Sequence, residues 1–170
     1  MGSLRMEERI ARKRARQAEL IPQEWRLATP PPPPETGVNA LAGIRSSSGL
    51  LSPQDLEITE TTDAAVLRDK LAAGELTSRA VTTAFAKRAA LAHQWTNCCT
   101  EIFFHDALHE AEAADDYRAR TGQTLGPLHG LPLSVKDMFR VKGQDTTVGM
   151  GGRYPPSFLP TDMVLLTLAL

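Results

Sequence analysis

The chain reads as an α/β protein on three grounds. Amphipathic helical stretches at residues 62–73, 77–94 and 106–120 alternate with apolar runs at 98–104 and 128–135, the pattern of helices layered on a sheet. The run 131–135 is apolar at nearly every position, as a strand covered on both faces would be. Gly126, Pro127, Gly130 and Pro132 crowd against that run and mark a turn whose backbone shape matters.

Taken in order, residues 4–20 carry Leu4, Ile10, Ala11, Ala15 and Ala18 at helical spacing among Arg5, Arg9, Arg12, Lys13, Arg14 and Arg16. This predicts a basic amphipathic arm wrapping the domain, with a membrane surface or nucleic acid as the alternative ligand of such a helix. The five prolines 30–34 predict a stiff polyproline II spacer, a geometry that can also dock in an SH3 or WW groove. Residues 36–51, rich in Gly, Ser and Asn, read as loop. The division expected is an arm at 1–29, a connector at 30–51 and a body at 52–170. In the body, Pro53 opens a short turn and 56–59 reads as a strand or extended entry. Thr62 or Asp63 caps a helix through Ala73, with Gly74 as its stop. Thr77 caps a longer helix to about Gln94, whose face Val81, Ala84, Phe85, Arg88 and Leu91 packs on something. Residues 98–104 read as a buried strand. A helix from Asp106 to about Arg120 follows, with Ala107, Leu108, Ala111, Ala114 and Tyr117 or Arg118 on its core side. The next strand is 128–135. Residues 162–170 (DMVLLTLAL) start like a capped helix and lack any stop signal, so the body reads as cut inside a helix.

A net charge of −1 gives no general reason to expect nucleic acid or an anionic membrane as partner. No apolar run approaches the ~20 residues of a spanning helix, and the N-terminus has no signal-peptide core. The two cysteines, Cys98 and Cys99, are adjacent and cannot build a disulfide framework. They read as free, buried, small apolar residues of a reducing, cytoplasmic setting. His93, His105 and His109 show no metal spacing, so no metal is expected. Gly149, Met150, Gly151 and Gly152 lack the Lys-Ser/Thr of a phosphate loop, so no cofactor is expected either.

Lys136 closes the apolar run. An ammonium group is costly to bury without a partner, so its side chain either snorkels to water or has a task at the carboxyl end of the strand, where ligands collect in open α/β sheets. His129 reads as a structural hydrogen-bonder within the turn rather than a general base. Asp137 reads as the holder of a loop N–H rather than the ion-pair partner of Lys136, because neighbours on an extended backbone face opposite ways.

The string GPLHGLPLSVKD followed by VKGQDTTVG resembles the lysine segment of the amidase signature family, in its fungal acetamidase (general amidase) branch. IPQEWRL at 21–27, LTSR at 76–79 and TNCCTEIFF at 96–104 resemble the same branch in the same order. The resemblance implies an α/β/α fold with a mixed central sheet. It also implies hydrolysis of a small carboxylic amide to acid and ammonia, no cofactor, and compatibility with a homodimer. In that family the lysine of this segment is the base of a Ser-cisSer-Lys triad, a role that falls on Lys136. A lysine takes a proton only when neutral, and bringing it from its reference value of about 10.4 to about 7 costs roughly 4.6 kcal/mol. Enclosure away from carboxylates supplies that. The family's two serines lie downstream, in GGSSGG-like and GSIR-like segments, and residues 1–170 contain neither. Ser46, Ser47, Ser48 and Gly49 precede the lysine and cannot replace them. The resemblance therefore implies an N-terminal portion, inactive by itself. It assigns no substrate-binding residue, and Met150 departs from the small or aromatic residue expected there. The contrasting expectation is a non-catalytic interaction or regulatory module, or an incomplete gene product.

Overall fold

In the computed structural model, residues 5–46 and 49–149 are described. Among the described residues six α-helices carry the architecture: α1 (Met6–Leu20), α2 (Ala40–Ser46), α3 (Pro53–Glu60), α4 (Ala64–Ala73), α5 (Ser78–Thr96) and α6 (Phe104–Thr121). Short 3-10 turns lie at Gln23–Trp25 and Pro34–Thr36.

Helix α5 is the axis. Its alanines let neighbours approach closely, and it contributes to all three apolar clusters. Val81 and Ala84 join Ile58 of α3, Leu67 and Leu71 of α4, and Leu131. Ala86 and Ala90 join Ile21, Trp25 and Ile102. Leu91 joins Ile44 of α2 and Leu51. The predicted face of α5 is buried at Val81, Ala84 and Leu91, and Ala86 and Ala90 add a second buried side.

Helix α6 caps two of its neighbours. Asp115 accepts the Ser78 and Arg79 N–H groups at 2.7 and 2.9 Å, neutralising the N-terminus of α5. Arg118 donates to the Leu71 and Ala72 carbonyls at 2.9 and 2.6 Å, at the C-terminal end of α4. Carboxylate at a helix start and guanidinium at a helix end both complement the macrodipole. Asp63, not Thr62, caps α4 through the Ala65 N–H at 2.8 Å, and Gly74 ends it at φ +77°.

The described residues contain no strand and form an all-helical arrangement, so none of the strands expected of the α/β reading lies among them. Each expected strand is replaced for an identifiable reason. Residues 56–59 belong to α3 because Ser52 and Asp55 form a reciprocal capping box (3.1 and 2.9 Å) with Pro53 at the first turn. Along 98–104, side chains take the backbone groups that a ladder would need. Gln17 Nε2 donates to the Cys99 and Thr100 carbonyls, both at 2.9 Å, and the Cys99 N–H donates to His93 Nδ1 at 3.1 Å. Around 128–135, the His129 and Leu131 N–H groups bond back to Gly126 and Leu128 at 3.1 Å as turns, and Pro132 has no N–H to give. The expected loop 36–51 instead contains α2, capped by Asn39, whose Oδ1 accepts from Leu41 and Ala42 at 2.9 and 3.2 Å. Helix α6 begins two residues before the expected Asp106.

The arm is helical as expected, but the inward face is not the apolar one. Ile10, Ala11, Ala15 and Ala18 are exposed, whereas Arg9 and Lys13 are half-buried and Gln17 is buried. These three repeat at every fourth residue and share one side of the helix. Specific polar partners, absent from any reading of apolar periodicity, decide the docking. The expected helix at 162–170, Met150, Gly151 and Gly152 lie outside the described residues.

Gly130 and Gly122 separate two costs of a glycine replacement. Both have positive φ, +72° and +69°. A Cβ on Gly122 meets nothing within 4 Å, whereas one on Gly130 sits 2.1 Å from Ser78 Oγ and 3.1 Å from Ser78 Cα. Gly122→Ala should cost about 1–2 kcal/mol from backbone strain, and Gly130→Ala about 2–4 kcal/mol once overpacking is added. Denaturant unfolding of the two variants side by side checks the order.

Candidate active site

The segment that carries Lys136 is buried at its start and exposed beyond it. His129 and Leu131 are buried, the latter within the cluster beneath α3, α4 and α5. The Leu125 N–H donates to His129 Nδ1 at 3.2 Å, so His129 is a structural acceptor that ties the turn together. From Leu131 onward the chain rises out of the core. Leu133 and Val135 are 48% and 39% exposed, which corrects the expectation of a run covered on both faces. Lys136 is exposed and makes no side-chain hydrogen bond or ion pair among the described residues.

After Lys136 the chain turns sharply. Its carbonyl accepts from Met138 and Phe139 N–H at 2.6 and 3.0 Å. Asp137 points away into the loop neck. Its carboxylate accepts the Thr147 N–H at 2.9 Å and the Thr147 hydroxyl, and its carbonyl accepts the Val148 N–H at 3.1 Å. The loop 138–146 is therefore closed at its base, and the carboxylate next in sequence to Lys136 is engaged elsewhere.

The arm holds the same loop from outside. Lys13 Nζ pairs with Glu101 and, at 3.3 Å, with Asp145 Oδ2. Both carboxylate side chains are only 10% exposed, so screening by water is weak. Burial raises the Glu101 carboxyl above its ordinary value, partly offset by Lys13. Nothing local in the sequence announces this trio, whose members lie 88 and 132 residues apart along the chain.

An apolar groove of about 310 Å³ runs between α6 and this segment, lined by Ala111, Ala114, Tyr117, Leu131, Leu133 and Val135 among others. Arg120 and Glu110 also border it. Lys136 is not part of its lining. No group of three or more His, Cys, Asp or Glu side chains able to hold a metal occurs among the described residues. Likewise, no described helix is long and apolar enough to cross a membrane. His105 sits beside Asp106 at 3.6 Å at the surface, apart from any such cluster. The cysteines depart from the buried expectation: Cys98 is exposed and Cys99 half-buried.

Residues 80–154 match the family model described as Amidase. Over 143 residues the chain is 50% identical to the acetamidase of Emericella nidulans, covering 84% of this chain and 25% of that protein. Over 162 residues it is 44% identical to an amidase of Gibberella moniliformis, covering 92% and 30% respectively. The chain belongs to the amidase family. Among solved structures it is similar to a fatty acid amide hydrolase, with a TM-score of 0.75 and 38% identity over 84% of this chain and 25% of that one. This amidase-family chain spans 25–30% of the length of these relatives.

The two buried histidines make the stability of the fold pH-dependent. Burial lowers His129 below its ordinary value, helped by nearby Arg118 and opposed by Asp115, and burial lowers His93. Each accepts a backbone N–H at Nδ1 and must be neutral there. The unfolded imidazole, near its reference of about 6.5, binds protons more readily than the folded one. The stability these residues contribute is thus whole above about pH 6.5 and is lost as the pH falls below it, by at most about 1.4 kcal/mol per pH unit for each. Thermal midpoints measured from pH 7.5 to 5.5 should fall, and His129→Gln should make the slope shallower.

Proposed function

We propose that this chain is the lysine-bearing N-terminal portion of an amidase that hydrolyses a small carboxylic amide to carboxylate and ammonia. In this reading Lys136 is the base of a Ser-cisSer-Lys triad. The neutral amine takes a proton through the bridging serine, and the nucleophilic serine attacks the amide carbonyl. An acyl-enzyme forms as ammonia leaves, and water then releases the acid. The serines and the mixed sheet belong to the longer protein of this proposal, because residues 1–170 contain neither serine-bearing segment.

The observation that carries the reading is the disposition of Lys136 within the family segment. A lysine base needs an amine free of carboxylates. Asp137, its neighbour in sequence, gives both carboxylate oxygens to Thr147. Lys136 itself projects from an anchored turn with no ion-pair partner among the described residues. The likeness to an acetamidase supports a short aliphatic amide as substrate. A cytoplasmic setting is part of the same proposal, in keeping with two free thiols.

The test joins this chain to the serine-bearing segments of a relative and measures ammonia release from acetamide. Lys136→Ala should lower kcat by at least about 10²–10⁴-fold, the span of general-base catalysis. Lys136→Arg should fail equally, because guanidinium does not lose its proton. Near-normal turnover by the arginine variant would remove Lys136 from the role of base. The chain taken alone should release no ammonia.

A further inference from the structure

Cys98 and Cys99 form the one cluster of nucleophilic side chains outside the lysine segment among the described residues. Cys98 is exposed and Cys99 half-buried, and their sulfurs lie 3.9 Å apart. The backbone beneath them is clamped from several sides. Asn97 ends α5 in the left-handed region at φ +53°, with its N–H on the His93 carbonyl at 2.7 Å. The Cys99 N–H is held by His93 Nδ1, and the Cys99 and Thr100 carbonyls are held by Gln17.

That clamp decides what can join the two sulfurs. A direct disulfide needs them about 2.05 Å apart and prefers Cα atoms about 4.4–6.8 Å apart, more than the roughly 3.8 Å between trans neighbours. Closing it would pull the backbone away from His93 and Gln17. A single bridging atom makes no such demand. With bonds of about 2.3 Å, the length of a soft metal–thiolate bond, and angles of about 95–110°, it holds the sulfurs about 3.4–3.8 Å apart. Zinc, the common thiolate-bound cation, takes about four ligands, and the described residues offer no third donor beside this pair. Trivalent arsenic needs two sulfurs and keeps its own third substituent.

We propose that Cys98 and Cys99 are a vicinal-dithiol site that captures trivalent arsenicals as a cyclic bridged adduct. With an arylarsine oxide, two As–S bonds form and the As–O bond is lost. Both thiol protons leave on that oxygen as water, and the oxidation state of arsenic is unchanged. Exposed Cys98 bonds first. The Cys99 thiol is pushed up to about 12 by its burial, by the neighbouring Cys98 charge and by a hydrogen bond to Cys98. It is therefore a poor thiolate nucleophile towards an alkylating agent, but it can close the ring as its proton leaves with the oxygen. The adduct sits at the joint where α5 meets the arm, through Gln17.

The test uses the full reduced chain and phenylarsine oxide, followed by intact mass and thiol titration. These two are the only cysteines present. We expect one phenylarsenic adduct per chain, loss of both titratable thiols, resistance to excess glutathione, and release by ethanedithiol. Iodoacetamide should label Cys98 alone. Cys98→Ser and Cys99→Ser should each lose the glutathione-resistant adduct. The exposed position of Cys98 keeps the first variant informative even if the second folds poorly. A glutathione-resistant adduct on Cys98→Ser, or an adduct on the unaltered chain that glutathione strips, would overturn the proposal.

Discussion

The burial of α5 is the constraint on which the other elements depend. Val81, Ala84, Ala90 and Leu91 are wholly excluded from water, so every neighbour must present an apolar surface or a cap to this one helix. Helices α2, α3 and α6 and the turn at Gln23–Trp25 all contact it. The polar ends of the arrangement are then settled at short range. Asp115 covers the start of α5 and Arg118 the end of α4, both from α6. Lys87 reaches Asp55 at 2.9 Å. Burial alone would raise that carboxyl, but Lys87 and Ser52 together hold it below its ordinary value. Gln94 fastens the chain on the far side, donating to the Trp25 carbonyl at 3.0 Å and accepting the Leu27 N–H at 2.8 Å.

The lysine segment inherits its position from that frame. Gly130 passes so close to Ser78 that only a hydrogen fits, and Leu131 completes the cluster beneath α5. This places a fixed point five residues before Lys136. On the other side, Asp137 and Thr147 close the loop, and Lys13 of the arm ties Asp145 to Glu101. The arm thus acts as an electrostatic brace rather than an apolar wrapper, because its inward stripe is Arg9, Lys13 and Gln17. Partly buried charges with defined partners resist screening better than exposed ones, which suits a brace across distant parts of the chain.

Homology and geometry meet at this segment. The family match spans the residues from α5 through the loop after Lys136. The apolar side chains left in water, Leu133, Val135, Met138 and Phe139, flank Lys136 on the same stretch. Proteins about three to four times longer align with most of this chain at 38–50% identity. The lysine therefore sits where apolar surface is still available for contact, and the core-facing half of the segment is already complete.

The sequence by itself determined the helices with strong local signals: α4 between Asp63 and Gly74, α5 from Thr77, and α6 with its inward Ala111 and Ala114. It also determined the family and the roles of His129 and Asp137 as structural partners of backbone N–H groups. These depend on residues within about ten positions of one another, where spacing carries the information. The S-P-x-D signature of α3 and the Asn39 cap of α2 were equally local and could have been read. Only the tertiary structure decided the rest. A strand exists only through its neighbours' hydrogen bonds, and in this part of the chain Gln17, His93 and backward turns take those bonds. Likewise, the inward face of the arm was set by Glu101 and Asp145, residues far along the chain that no periodicity in α1 can announce.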